Sequence, residues 1–201
     1  MVAGAVAVAV AGAAAGAALA AAARPEDGDE GARDEALSVK RAFAHLFATA
    51  RTVRRAFPQP VLDRIEAAVN SSEQRHAGEI RFAVEGPLEF LPVLRGLEPR
   101  ERALELFSLL RVWDTEHNIG VLIYVQLVDR DIEVVADRGI AARIGQAEWD
   151  AICRRMEDAF KAGRYEAGAL AGIEEVTAIL GRHFPPRPRD TDELPDRPVV
   201  L

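Results

Sequence analysis

The 201-residue sequence predicts an α/β domain: a small mixed sheet, its first two strands parallel and the next hairpin antiparallel, with helices on both faces. Three observations predict it. The order strand, helix, strand between Glu79 and Val128 calls for a crossover, which makes those strands parallel and the connection right-handed. Gly120–Val128 is apolar almost throughout, as expected of a central strand covered on both faces. Asp129-Arg130-Asp131 is short enough to close an antiparallel hairpin into Ile132–Ala136.

The elements follow in chain order. Residues 1–36 form a low-complexity, Ala-rich extension and a linker, with Gly28–Asp34 as its solvated part. Residues 1–23 contain only Met, Val, Ala, Gly and Leu, long enough to span a bilayer. Ala and Gly insert weakly, however, and no Lys or Arg precedes the run, so a signal or anchor, a disordered arm and an upstream extension all stay open. Residues 37–57 read as a basic amphipathic helix with Phe43, Phe47, Ala50 and Val53 near one face, and with no acid between Ala36 and Leu62. Such a helix either docks on the domain with its arginines solvated, the preferred reading, or lies on an anionic membrane.

The folded domain is expected over 58–184. Pro60 suits a first helical turn, and Leu62, Ile65, Val69 and Ser72 continue at helical spacing to about His76. Glu79–Glu85 alternates Ile80, Phe82 and Val84 with charged residues, a strand with one buried face. A Pro- and Gly-punctuated loop, Gly86–Glu98, precedes a helix begun by Pro99 and carrying Ala103, Leu104, Phe107, Leu110 and Trp113. Helices over Gln146–Ala162 and Tyr165–His183 close the domain, and the charged, proline-rich segment 185–201 reads as a disordered tail.

Composition narrows the function. A net charge of −7, from 25 basic and 32 acidic residues, argues against nucleic acid as a partner. Cys153 is the single cysteine, and its helical neighbours Trp149, Ile152, Met156 and Phe160 mark a core face and a structural thiol. The sequence lacks a G-x-S-x-G elbow, a phosphate-binding G-x-x-x-x-G-K-[ST] and a G-x-G-x-x-G after a strand.

Topology then brings distant residues together. The first two strands start, and the third ends, at one rim, which collects His76, Glu79, Asp114, Glu116, His117, Asn118, Asp137 and Arg138. Glu79, Asp114, His117, Asn118 and Asp137 are the candidate metal ligands. Carboxylates with an amide oxygen suit calcium or magnesium, and a histidine would tilt the set toward zinc or manganese. Loop architecture explains Asp114 and Asn118 equally well, as capping and turn residues. The opposite rim holds Glu85, Asp129, Arg130 and Asp131, read as a solvated hairpin turn.

GEIRFAVE, ALELF, DTEHNIGVLIYV, DRDIEVVADRGI and FKAGRYEAG, in that order, resemble the TPM domain, known from thylakoid-lumen, photosystem II repair and acetylcholine-receptor-modulator proteins. The resemblance covers about Leu62 to His183 and is nearest to the short bacterial form, which tends to begin near Val39. It implies a three-layer αβα sandwich with a site around Asp114 and Asn118-Ile119-Gly120, although Ile119 stands where a second asparagine is common. It also implies links to calcium binding, acid phosphatase activity and assembly or repair of membrane complexes. The expectation carried forward is a cytoplasmic, non-enzymatic accessory domain whose acidic loop rim, with or without a divalent cation such as Ca2+, recognises a protein partner, possible membrane complexes included. The alternative is a metal-dependent, phosphatase-like hydrolase in which Asp114 or Glu79 holds the metal, His117 transfers the proton and Arg138 binds phosphate. If residues 1–23 act as a signal or anchor, the protein is instead exported or membrane-anchored.

Overall fold

The computed structural model describes residues 39–48, 50–187 and 192–201; the Ala-rich extension and linker of 1–36 lie outside the described residues. The basic segment is helical over 39–47 (α1) and Ala50–Ala56 (α2). Then come α3 Gln59–Glu73, β1 Glu79–Glu85, α4 Phe90–Leu94, α5 Pro99–Leu109, β2 Gly120–Gln126, β3 Asp131–Ala136, α6 Arg138–Ala141, α7 Gln146–Lys161, α8 Tyr165–His183 and β4 Val199–Val200. The sheet order is β3-β2-β1-β4. β1 and β2 are parallel with Glu79 opposite Gly120, and β2 and β3 form the antiparallel hairpin, as the sequence predicts.

The layers follow from side-chain alternation along the strands. Ile80, Phe82 and Val84 of β1 and Val121, Ile123 and Val125 of β2 face the larger core, filled from α3, α7 and α8 by Ile65, Val69, Trp149, Met156, Ile173 and Leu180. Cys153 lies in this core, where burial pushes its thiol up to about 12, so it packs rather than reacts. On the other face Ala83, Leu122, Tyr124 and Val135 meet Ala103 and Leu106 of α5. The result is a three-layer αβα sandwich.

The carboxyl-terminal segment departs from expectation. Instead of a disordered tail, it lays Leu194 into the α5-side core and pairs Val199–Val200 with Ala83 and Val84 of β1. Val-Val-Leu is the one apolar run in that segment, and it closes an otherwise open strand edge. In consequence β1 has no exposed face: all seven residues are buried, Glu79, Arg81 and Glu85 among them. Glu85 is satisfied there by two-pronged bonding from Arg102 and by the Tyr124 hydroxyl, which donates at 2.7 Å. β2 ends two residues earlier than its apolar run. Buried Gln126 accepts the Val128 N–H (2.8 Å) and donates to the Gly86 carbonyl (2.8 Å), so the chain turns at 127–130.

Candidate functional site

Gly120 starts β2 beside Glu79, and its carbonyl accepts the Asp137 N–H, so the ends of β1, β2 and β3 do meet at one rim. Gly120 has to be glycine. A Cβ there would lie 1.9 Å from the Val112 carbonyl oxygen, where the turn after α5 crosses the strand start.

The loop before β2 is built mainly by its own architecture. Thr115 Oγ1 accepts the Ile119 N–H at 3.0 Å, and Asn118 adopts φ 56°, a left-handed conformation that asparagine tolerates. Asn118 Oδ1 accepts from Arg138 Nε at 2.9 Å, which occupies the amide oxygen. Asp137 caps α6 through Oδ1, which accepts the Arg138 N–H at 2.6 Å, while its Oδ2 is buried without a partner. Asp114 and His117 are exposed, His117 lying 3.9 Å from Glu116. The five predicted ligands Glu79, Asp114, His117, Asn118 and Asp137 thus share a rim, yet loop contacts already claim Asn118 Oδ1 and Asp137 Oδ1.

A tighter acidic constellation stands beside them. Glu73, at the end of α3, and Asp192 and Asp196, from the carboxyl-terminal segment, each bring a ligating oxygen within 4.8 Å of the others. Among the described residues this is the group of His, Cys, Asp and Glu side chains that converges so closely. Asn70 Nδ2 donates to Asp196 Oδ2 at 2.8 Å, and Asp196 Oδ1 is buried without a partner. The segment is tied to the rim at two points: the Leu194 N–H donates to Glu79 Oε2 (3.3 Å), and the Glu116 N–H to the Glu193 carboxylate (3.0 Å). Glu73, Glu79 and Asp192, with His76, line a cavity of about 280 Å³.

Electrostatics record the crowding. Burial, then Glu79 and Asp196, push Glu73 up to about 9, so it keeps its proton at neutral pH. Burial raises Glu79 to about 7 despite backbone N–H donors from Glu193 and Leu194. Burial drops His76 to about 4. Its Nδ1 accepts the Gly78 N–H at 3.2 Å, which puts the hydrogen on a buried, partnerless Nε2. His76 therefore has no lone pair left for a cation, and the ligating set is oxygen alone. Oxygen donors of this kind fit a hard cation such as calcium or magnesium better than zinc.

Sequence reasoning located the rim but missed Glu73, Asp192, Glu193 and Asp196. Glu73 is a polar residue on a helix and carries no local signal that sets it apart. The other three fell in a segment read as disordered, and Val-Val-Leu at its end was the signal that it pairs.

The hairpin turn at the opposite rim is not simply solvated. Asp129 accepts from Arg41 Nε and Nη2 (3.0 and 2.8 Å) and pairs with His45 Nε2 at 3.1 Å. Although burial pushes it up, the bonds from His45 and Arg41 hold Asp129 below its ordinary value.

A family model for the TPM domain matches residues 56–179. Among solved structures, the solution structure of BA42 protein from the psychrophilic bacterium Bizionia argentinensis is similar, with 28% identity and a TM-score of 0.62. The match covers 77% of this chain and 96% of that one. No match emerges among curated proteins.

Proposed function

The chain belongs to the TPM domain family, and we propose on that premise that it is a non-enzymatic recognition module whose acidic rim holds a divalent cation and engages a protein partner. One observation carries the reading: carboxylates from three separate stretches of chain, Glu73, Glu79 and the Asp192–Asp196 segment, converge beside one cavity. Bringing like charges together costs free energy unless a proton or a cation offsets it, and buried Arg81, near Asp196 and Glu73, supplies only part of that offset. Glu73 holds such a proton at neutral pH, and Glu73, Asp192 and Asp196 would hold a calcium-class ion in its place. Cation loading would then pin the carboxyl-terminal segment against the rim and set the shape presented to a partner.

The hydrolase alternative draws on less. A phosphate approaching the cavity meets Glu73, Glu79 and Asp192 against Arg187, the one cation among the described residues that line it, and Arg138, its expected anchor, already spends Nε on Asn118.

Calorimetric titration of the full chain with CaCl2 and MgCl2 tests the cation. Binding near one ion per chain, abolished in Asp192→Asn/Asp196→Asn, is expected, with proton release that grows toward pH 7. Cross-linking in lysate should then capture a partner with the wild type and not with the double variant. No heat of binding and identical capture profiles would overturn the reading.

A further inference from the structure

We propose that the end of the molecule opposite the acidic rim, built by α1 and α4, is a docking face for an anionic lipid bilayer. The orientation of α1 carries the argument. At about 100° per residue, Arg41, Ala42 and His45 fall on one side of this helix, and Val39, Phe43, Leu46 and Phe47 on the other. The domain takes the polar side. Ala42 and His45 are buried, and Arg41 bonds Asp129 and, at 2.7 Å, the Leu97 carbonyl. His45 Nδ1 accepts the Leu88 N–H at 2.8 Å while its Nε2 pairs with Asp129.

The apolar side is consequently turned outward, the reverse of an ordinary surface helix. Phe47 is 78% exposed, Leu46 55% and Phe43 47%. Phe43 stacks on Phe47 and meets Phe90 of α4 edge-on, which continues the apolar surface to Leu91, itself 59% exposed. Contiguous exposed aromatic and aliphatic side chains fixed in this way mark an interaction surface.

Charge chooses the occupant. Lys40, Arg51, Arg54 and Arg55 are exposed on α1 and α2, and Arg95 is exposed just after α4. Of the acids at this end, Asp129 and Glu98 lie against Arg41 with Asp131 near it, Glu85 is bonded by Arg102, and Glu89 stands beside Phe90. An apolar strip at an end that carries five exposed cations complements an interface of acyl chains and anionic headgroups, with the rings entering the boundary and the cations at the phosphates. The chain is acidic overall, at −7, so this local excess of positive charge is a property of one end. Docked by that end, the protein holds its acidic rim away from the bilayer.

Co-sedimentation of the full chain with vesicles of phosphatidylcholine alone, and with phosphatidylserine added, tests the proposal. Expected is binding that needs phosphatidylserine and weakens with salt. Leu46→Gln/Phe47→Gln should lower it about tenfold or more, and each of Arg51→Gln and Arg54→Gln about fivefold. These side chains are exposed, so the fold should survive, and an unchanged circular dichroism spectrum checks that. Absence of binding to phosphatidylserine vesicles would overturn the proposal. So would undiminished binding by Leu46→Gln/Phe47→Gln, which would assign lipid contact to residues 1–23. A dimer in light scattering that this variant alone dissociates, without lipid binding, would make the face a contact between two copies.

Discussion

Replacing Glu79 with glutamine should make the protein steadily more stable, relative to the wild type, as the pH rises. Glu79 is 5% exposed, and burial raises it from an ordinary 4.5 to about 7. An acid whose folded-state value lies above its unfolded one stabilises the fold below the unfolded value. That contribution is lost as the pH climbs through the folded one. The interval from 4.5 to about 7 corresponds to up to about 3 kcal/mol. Glutamine keeps the acceptor for the Leu194 N–H and cannot ionise, so it escapes the loss. It also removes a like charge that raises Glu73, which adds in the same direction. At about 2–4 °C per kcal/mol for a domain of this size, the variant's melting temperature should gain roughly 6–12 °C on the wild type between pH 4 and pH 8. Thermal melts in chelator across that range read this directly. Repeating them in calcium should shrink the gap, because the cation offsets the same charges. Parallel curves for the two proteins would refute the reasoning: Glu79 would then be as well solvated folded as unfolded.

Two further substitutions test the architecture that positions both ends of the molecule. Gly120→Ala drives a Cβ into the Val112 carbonyl, where backbone meets backbone and no rotamer can yield, so urea melts should show a loss of about 3 kcal/mol or more. Asp129→Ala leaves Arg41 and His45 facing each other without their shared acid, a cost of about 3 kcal/mol that falls on the docking of α1. Hydrogen exchange should accelerate across 39–47 while β1 and β2 stay protected; uniform acceleration would show that α1 is integral to the global fold.

Local information in the sequence determined a good deal. Periodicity placed β1, the run of Val, Leu, Ile and Tyr made β2 central, and the DRD turn fixed the hairpin into β3. The strand–helix–strand order then dictated a shared rim. Five ordered sequence blocks carried the resemblance to the family, and helical spacing made Cys153 a packing residue, since a thiol on an apolar helical face has nothing to ionise it.

Tertiary structure decided what those patterns leave free, namely which polar groups meet. Glu73 and Asp196 are 123 positions apart, and no local rule connects them; only pairing of Val199–Val200 with β1 brings the terminal acids to the cavity. The burial of Glu79, Arg81 and Glu85 has the same origin, because alternation describes one strand and the covering of its second face comes from α5 and the terminal segment. The orientation of α1 was likewise undetermined. An amphipathic helix shows two faces, and the sequence by itself favours burying the apolar one. Asp129, waiting in a turn more than eighty residues away, reverses that choice by binding Arg41 and His45. A buried ionic contact needs a specific partner at a specific distance, and only the folded chain supplies both.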